Sequence, residues 1–273
     1  MARRTPGVRV TAMSARRDPN VVFDRIVVGI DDSPPSLDAV RRAVRLRNPG
    51  GSLHLVSVVN LAAAAAAGWS AATMAEELEA SARTALEEAR EIAGGDATSR
   101  LVEGRPVTCL LAELERESAT LVCVGTHGLR RAEAILLGGV ATSLLHEAPC
   151  PVLVARSASD ADRWPRSIAV GVDGSAPAER AAAVALHLAE RFGAELRPVV
   201  ATHGKETAAE ALQEQLPRLE VDPRGPVDAL VDVSRQVDLL VVGSRGLHGV
   251  RALGSVSERI AHQAQCSVLV VRP

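Results

Sequence analysis

The sequence predicts two copies of one doubly wound α/β unit, each a five-stranded parallel sheet covered by helices on both faces. Three observations lead there. Two apolar runs, RIVVGIDDS from Arg25 and SIAVGVDGS from Ser167, each deliver an aspartate, Asp31 and Asp173, at their end. Two further runs, TLVCVG from Thr120 and VDLLVVG from Val237, each feed a Gly-x-x-Gly stretch opening at Gly125 or Gly243. All four runs are continuously apolar and are separated by stretches of helical spacing, the pattern of parallel strands buried on both faces.

Each first strand turns into a helix. Ser33 and Ser175 stand as N-caps, Pro34, Pro35 and Pro177 suit a first turn, and Leu37, Val40 and Val44 or Val184 and Leu188 recur at helical spacing. Asn48-Pro49-Gly50 and Gly193 end these helices. Next come the strands SLHLVSVV and AELRPVV, a helical region, and short β segments near Leu101 and Leu219. Helices over Val107 to Glu117 and Pro226 to Gln236 lead to the two glycine-feeding strands, and CPVLVAR and CSVLVVR close the copies.

The copies differ in length. Asp31 and Asp173 lie 142 apart, Gly125 and Gly243 118, and Cys150 and Cys266 116, so the second copy is 24 residues shorter before its glycine stretch and two shorter within it. The loss matches an Ala/Glu-rich helix between Leu61 and Gly95, read as a helix of high propensity with a solvated acidic face. The domains are expected at 22–156 and 166–273, joined by a polar linker at 157–165 and preceded by a disordered basic arm at 1–21, within which Met13 is an alternative start.

Composition narrows the function. The 273 residues carry a formal net charge of −2, and aromatic residues are limited to Phe23, Trp69, Trp164 and Phe192. Neither a basic field nor a stacking platform is available for nucleic acid. No segment reaches the length of a spanning helix, and the arm has no apolar signal core, so a cytoplasmic protein without membrane contact is expected. Cys109, Cys123, Cys150 and Cys266 show neither metal nor redox spacing and read as reduced thiols, three of them in or beside apolar runs. No Ser-His-Asp triad and no His/Cys metal set is apparent.

In an open α/β sheet ligands sit beyond the carboxyl ends of the strands, where strand order reverses. Asp31 with Gly125, and Asp173 with Gly243, fall at such ends. Glycines let backbone approach a ligand, and a loop entering a helix offers N–H donors to phosphate. A Walker loop is excluded, since Lys205 is the only lysine and stands far from either stretch, and a dinucleotide fingerprint would follow the first strand, not the fourth. The plainer alternative makes Asp31 and Asp173 turn residues capping the next helix, and makes Arg130, Arg131, Arg245 and Arg251 solvated loop residues.

The aspartates, the paired Gly-x-x-Gly stretches and the segment LGSVS followed by CSVLVVR resemble the universal stress protein family over roughly 22–156 and 166–272. The resemblance implies a Rossmann-like fold of the adenine nucleotide alpha hydrolase type that binds ATP, with Mg²⁺ as a further option, in regulators that act by conformation or partner choice. In the first copy it implies Asp31 at the adenosine end, Val58 for backbone contact to adenine, and Gly125, Gly128, Gly138, Gly139 and Val140 around the phosphates. Gly139 stands where the family has Ser or Thr, Thr142 can replace the hydroxyl only if the helix starts later, and Asp32 adds a charge. Binding there is expected to be weakened but not lost. In the second copy it implies Asp173, Val199, Gly243, Gly246, Gly254, Ser255, Val256 and Ser257, with the hydroxyls kept but a loop of only seven residues, Leu247 to Leu253, between the inner glycines.

The resemblance also implies that the closing strands pair, joining the halves as an intramolecular pseudo-dimer, with a homodimer and an unidentified protein partner left open. Two other functions stay open: a slow ATPase or nucleotide-dependent transferase using Mg²⁺ and His127 or His248, and an interaction module that no longer binds nucleotide.

Overall fold

The computed structural model describes residues 23–61, 71–126, 137–157, 163–202, 212–213, 216, 218–244 and 255–272. Readings placed on Gly128, Gly246, Gly254, His127, His248 and the basic arm lie outside the described residues.

The first half runs β1 (Arg25–Ile30), α1 (Pro34–Leu46), β2 (Ser52–Val59), α2 (Ala71–Ala93), β3 (Thr98–Glu103), α3 (Pro106–Arg116), β4 (Leu121–Gly125), α4 (Gly139–Glu147) and β5 (Val152–Ala155). The second runs β6 (Ser167–Gly171), α5 (Ala176–Phe192), β7 (Glu195–Ala201), β8 (Glu220–Asp222), α6 (Pro226–Val233), β9 (Leu239–Gly243), α7 (Ser255–Gln263) and β10 (Ser267–Val271). Strand order is β3-β2-β1-β4-β5-β10-β9-β6-β7-β8 in one ten-stranded sheet. Within each half every pairing is parallel, the doubly wound arrangement expected.

The two halves meet at β5 and β10, which pair antiparallel with Val152 opposite Val270, Leu153 opposite Leu269 and Val154 opposite Val268. Leu153 and Leu269 are counterparts in the repeat, so the local two-fold axis passes between them. Both strands are buried throughout. Alternate residues feed two apolar layers: Val28, Leu55, Leu153 and Leu269 pack on one face, Val27, Val56, Val154 and Val268 on the other. Both layers continue across the joint, so neither half has a separate core.

Arginines reinforce the joint reciprocally. Arg156, just past β5, donates to the carbonyls of Ala261 (2.7 Å) and Cys266 (3.3 Å) around the end of α7. Its counterpart Arg272, just past β10, donates to the carbonyl of Leu145 in the last turn of α4. A guanidinium at a helix C-terminus satisfies carbonyls that have no intrahelical partner and meets the negative end of the dipole. Burial pushes Arg156 down to about 10, which still leaves it charged at neutral pH. On the opposite face Arg191 of α5 donates to the carbonyls of Leu46 (2.8 Å), Arg47 (2.6 Å) and Arg45 (3.2 Å) and to Asn48 Oδ1 (2.9 Å), closing the end of α1.

Two readings need correction, and one segment carries a contact that its composition did not show. Ser33 occupies the N-cap position of α1 with extended backbone but makes no side-chain cap bond, whereas Ser175 accepts from the Ala178 N–H as expected. The helix read to Gln236 ends at Val233, where Ser234 turns its hydroxyl onto the Val231 carbonyl at 2.6 Å. The 157–165 segment, read as a polar linker, holds Trp164 fully buried, its indole N–H donating to the Asp238 carbonyl at 2.9 Å.

Because Arg191 alone makes four bonds across the halves, Arg191→Ala is expected to lower stability by about 2–3 kcal/mol, measured by urea unfolding. A loss below about 0.5 kcal/mol, the range of an ordinary surface substitution, would show that the clamp contributes nothing.

Candidate functional site

In the first half β1 lies between β2 and β4, so the strand order reverses there and a crevice opens beyond the carboxyl ends. A cavity of about 240 Å³ occupies it. Asp31, Val58, Gly125, Gly138, Gly139 and Val140, every residue chosen from the first copy that is described, line this cavity. Ile30, Val56, Leu110 and Val124 give it an apolar floor, and Ser36 and Thr126 add hydroxyls that sequence reasoning missed.

Asp31 sits in a tight polar turn. Its Oδ1 accepts from the Ser33 N–H at 3.1 Å and from the Ser33 hydroxyl, while Ser36 Oγ donates to its carbonyl at 2.5 Å. The plainer role as a turn residue is therefore met, and the carboxylate lines the cavity as well. Asp32, the extra charge, accepts from Ser81 of α2 at 2.8 Å, a contact supplied by the long helix of the first copy.

Gly125 has a different reason to be glycine from the one its motif suggested. A Cβ there would stand 2.7 Å from the Pro35 carbonyl carbon and 2.8 Å from Ser36 N, so its missing side chain lets α1 pack against the end of β4. Gly139 is the opposite case, with open space around a Cβ. It begins α4, and the helix start does not shift, so Thr142 lies a turn inside with its N–H on the Gly138 carbonyl at 3.0 Å. The first turn presents backbone N–H groups to the cavity with no hydroxyl at 139–141.

The second half repeats the frame with different contents. Asp173 Oδ1 accepts from the Ser175 N–H at 3.0 Å. A Cβ on Gly243 would stand 2.3 Å from the Pro177 carbonyl oxygen, matching Gly125. Ser257 is buried and its hydroxyl, expected to face a phosphate, donates to the Gly243 carbonyl at 2.8 Å, tying α7 to β9. Ser255 opens α7 and Val256 is exposed. Strand registers correct one assignment: Gly29 pairs with Val56 and Gly171 with Val199, so Val199 is the counterpart of Val56, and Ala201 is the counterpart of Val58. Leu230 also leans closer to Gly171 than Leu110 does to Gly29, standing 2.8 against 3.4 Å from a Cβ placed on each glycine.

A family model described as the universal stress protein family matches residues 23–156 and 199–272. The chain belongs to the universal stress protein family. A universal stress protein of Mycolicibacterium smegmatis is 32% identical, with 91% of this chain and 97% of that protein covered. One from Mycobacterium tuberculosis is 30% identical, with 90% and 96% covered. The crystal structure of a universal stress protein from Archaeoglobus fulgidus superposes with a TM-score of 0.73 over 92% of this chain and 98% of that one, at 21% identity, a likeness of fold. The unmatched stretch 157–198 holds Trp164 and Arg191, two residues that lock the halves of this family member together.

Below the floor of the first crevice lies a polar network that the scattered histidines did not announce. His54, two residues before Val56 on β2, and Glu113, one turn after Leu110 on α3, approach to 3.2 Å. Arg116 donates to Glu113 Oε2 at 2.8 Å and to Glu117 at 2.7 Å, and Arg100 to Glu113 Oε1 at 2.9 Å. Burial works against ionisation of Glu113, but the bonds and charges of Arg116 and Arg100 outweigh it and hold the carboxyl below its usual range. The ligand atoms of His54, Glu113 and Glu117 lie within 4.8 Å of one another, with the Arg116 guanidinium already between them as the cation. Among the described residues no helix is long and apolar enough to cross a membrane. Burial pushes the Cys150 and Cys266 thiols up to about 12, which disfavours the reactive thiolate.

These packing differences set an order for alanine substitutions. Gly125→Ala and Gly243→Ala are each expected to cost about 1–3 kcal/mol through forced backbone shifts, while Gly139→Ala is expected to be neutral or slightly stabilising. Thermal melts of the three variants check this order, and a Gly139 variant as damaged as the other two would contradict it.

Proposed function

We propose that the chain is a nucleotide-binding regulator whose first crevice takes an adenine nucleotide, ATP being the titrant of choice, and that it acts through conformation or partner binding and not through turnover. The observation that supports this reading is the gathering of Asp31, Val58, Gly125, Gly138, Gly139 and Val140 around one cavity of about 240 Å³. Their chemistry fits the ligand. An apolar floor suits a base, a carboxylate at the rim suits ribose hydroxyls, and the N–H groups opening α4 suit an anion through their unpaired donors and the helix dipole. The edge of β2 at Val58 would offer backbone groups to adenine. Divalent Mg²⁺, when present, would neutralise phosphate charge.

The second crevice is proposed as the weaker site. Ser257 spends its hydroxyl on Gly243, and Leu230 leans closer to Gly171 than Leu110 does to Gly29. The first crevice lacks a hydroxyl at Gly139, but its backbone donors remain, and a hydrogen bond to a charged partner is worth about 1.5–3 kcal/mol.

Calorimetric titration of the full chain with Mg²⁺ and ATP tests this. One equivalent is expected to bind per chain, Asp31→Ala to weaken binding by about tenfold or more, Asp173→Ala to change it less than about twofold, and Gly139→Ser to tighten it by about threefold to tenfold. Loss of binding in Asp173→Ala with retention in Asp31→Ala would move the site to the second half.

A further inference from the structure

Arg42 is the most completely orphaned buried side chain among the described residues. It lies in the middle of α1 with a relative exposure of 0%, and its Nε, Nη1 and Nη2 have no hydrogen-bond partner among the described residues. What covers it is Trp164, whose ring stands 4.7 Å from the guanidinium carbon. Trp164 is itself fully buried and tied to both halves: its carbonyl accepts from Arg45 Nε at 3.1 Å and its indole N–H donates to the Asp238 carbonyl.

A better partner is within reach. Asp38 precedes Arg42 by four residues on α1, acid before base, the favourable orientation for a helical ion pair. Yet Asp38 pairs with Arg41 at 3.1 Å, and its other oxygen accepts from the Ser157 hydroxyl at 2.5 Å. Burial of Arg42 lowers its proton affinity, with Asp38 and Asp238 acting in the opposite sense and Arg41 and Arg45 adding to the burial. The seated arrangement thus sets the cation–π contact and the burial of an indole against the desolvation of a cation that has no hydrogen-bond partner among the described residues. Withdrawal of Trp164 would hydrate Arg42 and give it Asp38.

We propose that Trp164 is a releasable latch between the halves: seated, it covers Arg42; withdrawn, it frees Arg42 to pair with Asp38, while the Ser157–Asp38 bond favours the seated state. The strand pairing of β5 with β10 keeps the chain together in both states. Release detaches Trp164 from α1, the helix whose first turn packs on Gly125 and lines the cavity, so the latch sets how firmly the first crevice is tied to the second half. The proposal holds whatever the crevice binds.

The full chain carrying Trp69→Phe leaves Trp164 as the sole tryptophan, and acrylamide quenching of its fluorescence reads its release. Ser157→Ala is expected to raise the quenching constant roughly threefold by freeing Asp38, Arg42→Met to lower it by a similar factor, and the effect of Ser157→Ala to vanish when combined with Arg42→Met. No rise in Ser157→Ala, a rise in Arg42→Met, or a Ser157→Ala effect that persists in the double variant would overturn the latch. The first criterion stands alone if Arg42→Met fails to fold.

Discussion

Three antiparallel residue pairs, centred on Leu153 and Leu269, are the constraint on which the rest of the structure depends. Each closing strand is apolar on both faces, so each half alone would expose a strand edge with unpaired backbone, an arrangement that invites association. Pairing the two edges removes both at once and makes the apolar layers on each face continuous. Arg156 and Arg272 then fall beside the last helix of the opposite half, where their guanidinium groups meet carbonyls at its end. Sheet, core and caps therefore share one local two-fold axis.

The axis relates frames and not contents. In both halves a glycine at the end of the fourth strand admits the first helix, and an aspartate after the first strand folds a polar turn. Between these common parts, the first crevice holds a cavity lined by the first turn of α4, and in the second Ser257 ties α7 to β9. The outer face of the joint is asymmetric as well. Arg191 of the second half closes the end of α1, and Trp164 wedges beside it. The helix that frames the first crevice is thus also gripped at its far end by the second half.

Much of this was open to sequence reasoning, and the reasons are physical. SLHLVSVV matches β2 residue for residue, because a mainly apolar, β-branched run bounded by turn residues suits a strand buried on both faces. Asp31 and Gly125 were readable because parallel topology brings the ends of the first and fourth strands together whatever the side chains do, whereas Val58, Gly138, Gly139 and Val140 came only from the resemblance to the family. Long-range partners were not readable. Nothing local says that the hydroxyl of Ser257 turns inward to Gly243, that Gly125 serves α1, or that a tryptophan in a polar segment is fully buried. Val199 was misplaced by one pleat of the strand because AELRPVV carries no marker of its register, which neighbouring strands set.

The central claim is that the first crevice is the one that holds the nucleotide. Hydrogen exchange of the full chain with and without Mg²⁺ and ATP tests it most directly. The account predicts new protection at the ends of β1 and β2 and at the Gly139, Val140 and Ala141 amides opening α4, with little change at Val256 and Ser257. Protection confined to the start of α7 and the turn after β6, with the first crevice unchanged, would contradict it.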